Sequence, residues 1–117
     1  MNMNINASVL IFRDASCEKW AAQCLEYDIS AQGDSLHDVV NRFERTLIGN
    51  IVLALEHDEP PLWNFLPAPH KYVEMWNNAL ALEQSLPITI ASDELPANVL
   101  KFPDRVPRGQ ASLRIAA

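Results

Sequence analysis

A long amphipathic helix that follows a short strand constrains this chain more than any other feature of its sequence. From Ser35 to about His57, apolar residues recur at steps of three and four, which places them on one side of a helix. They are Leu36, Val39, Val40, Phe43, Leu47, Ile51, Ala54 and Leu55. Ser35 is positioned to cap the first turn, and Asp38 lies near the positive end of the helix dipole. The sequence therefore predicts a helix that covers one face of another layer.

Three short segments before this helix have the composition of β-strands. We predict strands over 7–12, 19–25 and 29–32, joined by turns at 15–18 and 26–28. We expect Gly33 to leave the sheet with a positive φ. Short connections favour an antiparallel meander, so the predicted fold is α+β: a three-stranded antiparallel sheet (β-β-β-α) with one long helix on it.

The second predicted strand has no clearly polar side. Trp20, Ala22 and Cys24 alternate with residues 21, 23 and 25, which are Ala, Gln and Leu. We therefore expect both faces of the sheet to be covered.

The chain after His57 is rich in proline. We predict an extended arm over 62–69 and a second helix from His70 to Gln84, with its apolar side formed by residues 72, 73, 76, 79 and 80. A short strand over 88–91 and an edge strand over 112–115 are expected to flank irregular structure. Residues 1–57 form the predicted core, and residues 58–117 are expected to pack on the same domain as an arm, a second helix and an extended C-terminal region.

Charge and composition limit the classes of partner. Nine basic and fifteen acidic residues give a net charge of −6, which disfavours direct binding to nucleic acid and favours a basic partner. Cys17 and Cys24 flank a predicted strand, so we expect free thiols in a reducing cytoplasm. The N-terminal residues lack the features of a signal peptide, and the longest nearly apolar run, 47–55, is too short to cross a bilayer. The sequence predicts a soluble cytoplasmic protein with no membrane partner.

Candidate catalytic and metal-binding residues were weighed against ordinary structural roles. Asp14, Asp28, Asp34 and Asp38 lie near strand ends and the helix start, where acids suit turns and first helical turns. Residues 37, 57 and 70 are histidines that form no zinc pattern with the cysteines, and Cys24 with His37 is a conceivable but weak nucleophile pair. We therefore predict no catalytic residue, metal or cofactor.

Aromatic residues form the more informative set. Trp20, Trp63, Phe65, Tyr72 and Trp76 fit a second layer over the sheet, which is the simpler interpretation. The alternative is that part of this set contacts a partner chain, because aromatic residues dominate interface energetics. The predicted partner-binding residues are Trp63, Phe65, Glu56, Asp58 and Glu59.

Three stretches of the chain resemble the HicB-like domain, which occurs in the antitoxins of HicA/HicB toxin–antitoxin pairs and in stand-alone bacterial proteins. The matching residues are Trp20-Ala21-Ala22-Gln23-Cys24-Leu25-Glu26, Ile29-Ser30-Ala31-Gln32-Gly33-Asp34-Ser35-Leu36 and the helix through Phe43-Glu44-Arg45. The resemblance covers about residues 7–57. It implies a truncated relative of the RNase H arrangement, usually without catalytic activity and often oligomeric. The chain resembles the stand-alone type, because no DNA-binding pattern follows His57.

The residues and this resemblance together predict a non-enzymatic, antitoxin-like protein that binds other proteins. The expected partners are a second copy of the chain, as a homodimer or larger oligomer, and a small basic ribonuclease toxin. Two alternatives remain open. One is a metal-dependent nuclease of RNase H-like ancestry that uses Asp14, Asp28 and Asp34, and the other is a purely structural homo-oligomer.

Overall fold

A mixed six-stranded sheet, covered on one face by a long helix, forms the centre of the protein. The computed structural model describes residues 4–83, 85–100 and 106–116. The strands are β1 (Asn4–Asp14), β2 (Lys19–Cys24), β3 (Ser30–Gly33), β4 (Leu80–Ala81), β5 (Leu86–Ile88) and β6 (Arg108–Ile115). The helices are α1 (Leu36–Glu56), α2 (His70–Asn77) and α3 (Ala97–Leu100), with a 3₁₀ turn at Ser92–Glu94.

The sheet is larger and more mixed than the sequence predicts. Its strand order is β3-β2-β1-β6-β4, and β5 also pairs with β6. The first three strands form an antiparallel meander, whereas β6 runs parallel to β1. The α+β class is correct, but the three-stranded antiparallel sheet is only one side of a six-stranded mixed sheet.

The position of β6 overturns its prediction as an edge strand over 112–115. It lies between β1 on one side and β4 and β5 on the other. Its inward residues face the same side as their partners on β1, as in the pairs Ala7 with Ala111 and Val9 with Leu113. Gly109 shows how closely the strands approach, since a Cβ there would lie 1.8 Å from the carbonyl oxygen of Ile5. The sequence prediction failed because the pairing of β6 with β1 joins opposite ends of the chain.

The packing of α1 on the sheet confirms the predicted helix and its buried side. Five residues, each four positions after the last, are buried: Val39, Phe43, Leu47, Ile51 and Leu55. They pack in one core with inward residues of the sheet, including Ile5, Val9, Ile11 and Ala22. Burial of such a side chain stabilises the fold by about 1.5–3 kcal/mol. Leu36 departs from the prediction, because it is 38% exposed at the first helical turn.

The start of α1 is capped as the sequence predicts. The Oγ of Ser35 accepts a hydrogen bond from the backbone N–H of Asp38 at 3.0 Å. The carboxylate of Asp38 in turn accepts from the backbone N–H of Asp34 at 2.9 Å. Two free donors at the junction of strand and helix are thereby satisfied.

Gly33 is required for a different reason from the predicted one. No glycine among the described residues has a positive φ, and Gly33 is the last residue of β3. A Cβ at this position would lie 2.7 Å from the backbone nitrogen of Val39 and 2.8 Å from its Cα. Only glycine lets the end of β3 approach the first turn of α1 this closely.

The second face of the sheet is covered only in part, whereas the sequence predicts that both faces are covered. Leu10, Ala21 and Gln23 are buried there, on the side of β1 and β2 away from α1. The segment before α2 is tied to the end of β2 by a hydrogen bond from the N–H of Ala68 to the carbonyl of Leu25 at 3.0 Å. This connection brings α2 across the sheet.

Aromatic contacts join α2 to the sheet. The ring centroids of Phe12 and Tyr72 are 6.0 Å apart. The guanidinium of Arg114 lies 4.4 Å from the centroid of Trp76, and its Nη1 donates to the carbonyl of the same residue at 3.0 Å. The simpler interpretation of the aromatic set therefore holds for Tyr72 and Trp76.

Several predicted boundaries are wrong because strand pairing ends or extends elements. The second helix ends at Asn77 and does not continue toward Gln84, because Leu80 and Ala81 pair with β6. Gln84 itself lies outside the described residues. The strand predicted over 88–91 ends at Ile88. Ala81 pairs with Arg114 and Leu86 pairs with Ala111, so β4 and β5 lie on the same side of β6 as two separate short strands.

Other boundary changes are smaller. β1 begins at Asn4, earlier than predicted, because its polar residues alternate with the buried Ile5 and Ala7. β2 ends one residue early, and β3 is displaced by one. The region predicted to be irregular contains the 3₁₀ turn and α3, and residues 101–105 lie outside the described part of the chain.

A glycine substitution tests the junction of β3 and α1. Gly33→Ala places a methyl group against the backbone of Val39, so we expect it to destabilise the protein by about 2 kcal/mol. Gly49→Ala is the matched control, since a Cβ there has no atom within 4 Å; we expect it to stabilise α1 by about 1 kcal/mol. Urea unfolding of both variants measures the two effects, and equal stability of both would contradict the close approach.

Candidate protein-binding surface

The chain reverses sharply at the end of α1. The N–H of Asp58 donates to the carbonyl of Leu55 at 3.1 Å, and the N–H of Glu59 donates to the carbonyl of Ala54 at 2.9 Å. This pair of bonds is a Schellman motif, with Asp58 in the left-handed region at φ 55°. Aspartate tolerates this conformation better than most residues. The motif leaves the side chains of residues 56, 58 and 59, all acidic, exposed to solvent.

A buried leucine anchors the next part of the chain. Leu62 is buried in the core beside α1 although its φ is 61°, a strained value for this residue type. Residues 61–64 form a turn, so the arm predicted over 62–69 is not extended at its start. The carbonyl of Leu62 accepts from the N–H of Phe65 at 3.2 Å, which closes this turn. Burial of Leu62 offsets the strain and holds the turn in place.

This anchored segment, which we name the Trp63 turn and define as residues 56–66, carries the predicted partner-binding residues. Trp63 is 60% exposed, and its indole N–H donates to the carboxylate of Glu59 at 3.0 Å. Leu66, which the sequence analysis did not select, is 76% exposed. Phe65 differs from the others, because it is half-buried and packs against the core. The structure therefore brings together one exposed aromatic ring, one exposed leucine and three carboxylates.

The carboxylates of the Trp63 turn have no cationic partner in the described part of the chain. The ion pairs there join Lys19 to Asp34, Arg42 to Asp38 and His70 to Glu74. Within the described residues, the carboxylates of Glu56, Asp58 and Glu59 therefore face solvent. Their negative charge is available to a basic partner.

The sequence analysis missed a groove on the outer side of α1. It has a volume of about 1100 Å³ and lies between α1 and the segment after β5. Its apolar lining includes Ile48, Val52, Leu53, Ile90 and Ala91, and its charged lining is Glu44, Arg45, Glu56 and Glu94. The sequence contains a sign of this groove, because residues 47–55 are apolar around most of the helix circumference. An apolar surface on the outer side of α1, in addition to the buried side, follows from this pattern.

The acidic residues considered as metal ligands each have a separate partner. Asp14 accepts from the backbone N–H and the hydroxyl of Ser16 at 3.0 and 2.6 Å. Asp28 accepts from the side chain of Gln23 at 2.9 Å, and Asp34 pairs with Lys19.

The strand register separates these acids as well. Asp14 and Asp34 lie at the end of the sheet where β1 turns into β2 and β3 enters α1, whereas Asp28 lies in the connection at the opposite end. Within residues 4–83, 85–100 and 106–116, no three acidic, histidine or cysteine side chains are grouped as metal ligands would be. The structure does not bring together the three aspartates of the nuclease alternative.

The cysteine and histidine considered as a nucleophile pair are also placed apart. Cys24 is buried at the end of β2 that lies away from the start of α1, and burial raises the pKa of its thiol to about 11. His37 is exposed on the first turn of α1, with its Nε2 3.2 Å from the side-chain nitrogen of Asn41. Cys24 therefore serves as a core residue in this arrangement.

Comparisons of the chain with family models, with curated proteins and with solved structures find no match. In the described part of the chain, no helix combines the length and the apolar character needed to cross a membrane.

The two cysteines differ in their predicted reactivity. Cys17 is exposed and Cys24 is buried with a raised pKa, so a thiol reagent at mildly alkaline pH is expected to modify only Cys17 in the folded protein. Mass spectrometry of the native and the urea-unfolded protein counts the modified thiols. Rapid modification of Cys24 in the native state would contradict its placement in the core.

The cap of α1 predicts a dependence of stability on pH. The backbone N–H of Asp34 and then the guanidinium of Arg42 hold the pKa of Asp38 below its usual range. A carboxyl whose pKa is lowered by folding stabilises the protein above its unfolded pKa, and this contribution is lost as pH falls through the folded pKa. We expect the difference in unfolding free energy between the natural chain and Asp38→Asn to shrink on acidification. Urea titrations at neutral and acidic pH test this, and a difference that grows in acid would contradict it.

Proposed function

We propose that this chain is a non-enzymatic, HicB-like and antitoxin-like protein, which acts by binding other proteins through the Trp63 turn. The proposed partners are a second copy of the chain and a small basic ribonuclease toxin. The observation that carries the proposal is Trp63 itself: a large aromatic side chain, mostly exposed, on a segment that is anchored on both sides.

The construction of the Trp63 turn supports a binding role. Leu62 and the Schellman motif at Asp58 hold the backbone before the ring, so little conformational entropy would be lost when a partner binds. Tryptophan is among the residues that contribute most to interface energies. An exposed leucine follows three positions later, at Leu66, which adds apolar area.

Charge supports the choice of a basic partner. The chain has a net charge of −6, and Glu56, Asp58 and Glu59 are exposed around the Trp63 turn. Opposite charge on a toxin would accelerate and orient association. The exposed thiol of Cys17 is compatible with a reducing cytoplasm as the location.

The HicB-like assignment belongs to the same proposal. It is supported by the β1-β2-β3-α1 order and by the Gly33-Asp34-Ser35 junction, where the resembling residues lie. The truncated RNase H-like description is part of this assignment. The additional strands β4, β5 and β6 extend the sheet beyond that description.

Binding is tested with the protein encoded beside this gene. If a small basic reading frame is adjacent, its product is expected to co-purify with the chain and to lose its toxicity on co-expression. Trp63→Ala should weaken the complex about tenfold, measured by calorimetry. Leu80→Ala is the matched control, since Leu80 is 73% exposed on β4 and should have no effect. Equal losses in both variants would contradict a specific role for Trp63.

The same protein tests the alternatives. Light scattering compares the mass in solution with the 13.1 kDa of one chain, and a dimer weakened by Trp63→Ala would support self-association through this turn. A monomer that binds no neighbouring product would contradict the proposal. Cleavage of labelled RNA with Mg²⁺ or Mn²⁺ that is lost in Asp28→Asn would favour the nuclease instead.

A further inference from the structure

Gly49 has no role in the folding of this chain that the structure reveals. It lies inside α1, where glycine is less stable than alanine by about 1 kcal/mol. Gly33 and Gly109 are needed because backbone atoms occupy the space of a Cβ, but a Cβ at Gly49 would meet nothing within 4 Å. The missing side chain leaves open space in the groove on the outer side of α1.

The groove around Gly49 has an apolar centre. Ile48, Val52 and Leu53 line it from α1, and Leu53 is 52% exposed. Ile90 and Ala91 line it from the segment after β5. The lining residues of α1 run from Asn41 to Glu56, which corresponds to about 22 Å of helix. This length matches about four turns of a second helix laid alongside.

The charged residues that line the groove indicate which kind of partner it can bind. Among the described residues that line it, Glu44, Glu56 and Glu94 are acidic and Arg45 is basic, so acidic residues exceed basic ones there by three to one. A second copy of the chain would bring the same excess and a net charge of −6, which opposes self-association at this surface. A basic segment with an apolar side satisfies both parts of the lining.

We propose that this groove binds a basic amphipathic helix of a partner protein, which approaches α1 most closely at Gly49. Helices pack with axes about 8–10 Å apart, and small residues at the crossing permit the closer distances. Leucine-like side chains of the partner contact Ile48, Val52 and Leu53. Lysine or arginine side chains beside them face the three glutamates. This inference rests on the proposed function, because it gives the partner a specific chemistry and a second contact surface.

The probe is a synthetic four-turn helical peptide with leucines at steps of three and four and lysines at the remaining positions. The control peptide replaces each lysine with glutamate and keeps the leucines. Fluorescence anisotropy with the full chain is expected to show binding of the lysine peptide that weakens with salt, and no binding of the glutamate peptide. Equal binding of both peptides, or none of the lysine peptide, would overturn the proposal.

Variants of the chain locate the peptide. Gly49→Leu fills the groove at a helical position with free space, so it should fold and weaken binding about tenfold. Glu94→Lys should weaken binding as well, whereas Glu74→Lys is the matched control on α2, across the sheet. An equal loss in the Glu74 variant would show attraction to net charge alone and would overturn the proposal. Circular dichroism and urea unfolding verify that each variant is folded.

A last variant separates this inference from the proposed function. Trp63→Ala should leave peptide binding unchanged, because Trp63 does not line the groove. Suppose that the neighbouring gene product fails to bind the Trp63→Ala variant and still binds the Gly49→Leu variant normally. In that case the proposed function stands and the groove inference fails. If neither substitution affects that complex, both fail.

Discussion

The packing of α1 against the central strands is the interaction on which the rest of the structure depends. Five buried side chains, each four residues after the last, contact the inward residues of β1 and β2 in one core. At about 1.5–3 kcal/mol for each, their burial is comparable with the whole net stability of a typical domain, about 5–15 kcal/mol. The same packing determines which side of α1 faces outward. The core and the groove therefore lie on opposite sides of one helix.

The two faces of the sheet are covered unequally. On the first face α1 packs over β2 and β3, and Leu62 and Val99 complete the same core, while α2 covers the apolar half of the second face. The other half carries exposed polar residues of β1 and β6, such as Asn6 and Ser112. Arg114 lies against α2, where its guanidinium stacks on Trp76.

Local signals in the sequence were sufficient for the meander and α1. Capping by Ser35 and the spacing of Phe43, Leu47 and Ile51 depend on residues close in the chain, so they can be read directly. β6 and β4 cannot be predicted in this way, because their pairing depends on contacts between opposite ends of the chain. A helical pattern over Leu80 and Ala81 was overridden by pairing with β6.

The candidate surface was predictable only in part. The sequence predicted Trp63 and Glu59 as partner-binding residues, and the structure places their side chains in direct contact. Phe65 is a large aromatic residue like Trp63, but the turn directs its side chain toward the core. Only the α1 side of the groove beside Gly49 was predictable, because a third of its described lining comes from residues 89–94, whose position depends on the whole sheet.

In the free protein, α1 has one side in the core and one side open to solvent. Methyl NMR of the free chain with a dissolved paramagnetic probe measures this directly. The account predicts strong relaxation of the Leu53 methyl groups and little relaxation of those of Leu47 and Ile51, which are buried. Protection of Leu53 equal to that of Leu47 would contradict the account, because the outer side of α1 would then already be covered.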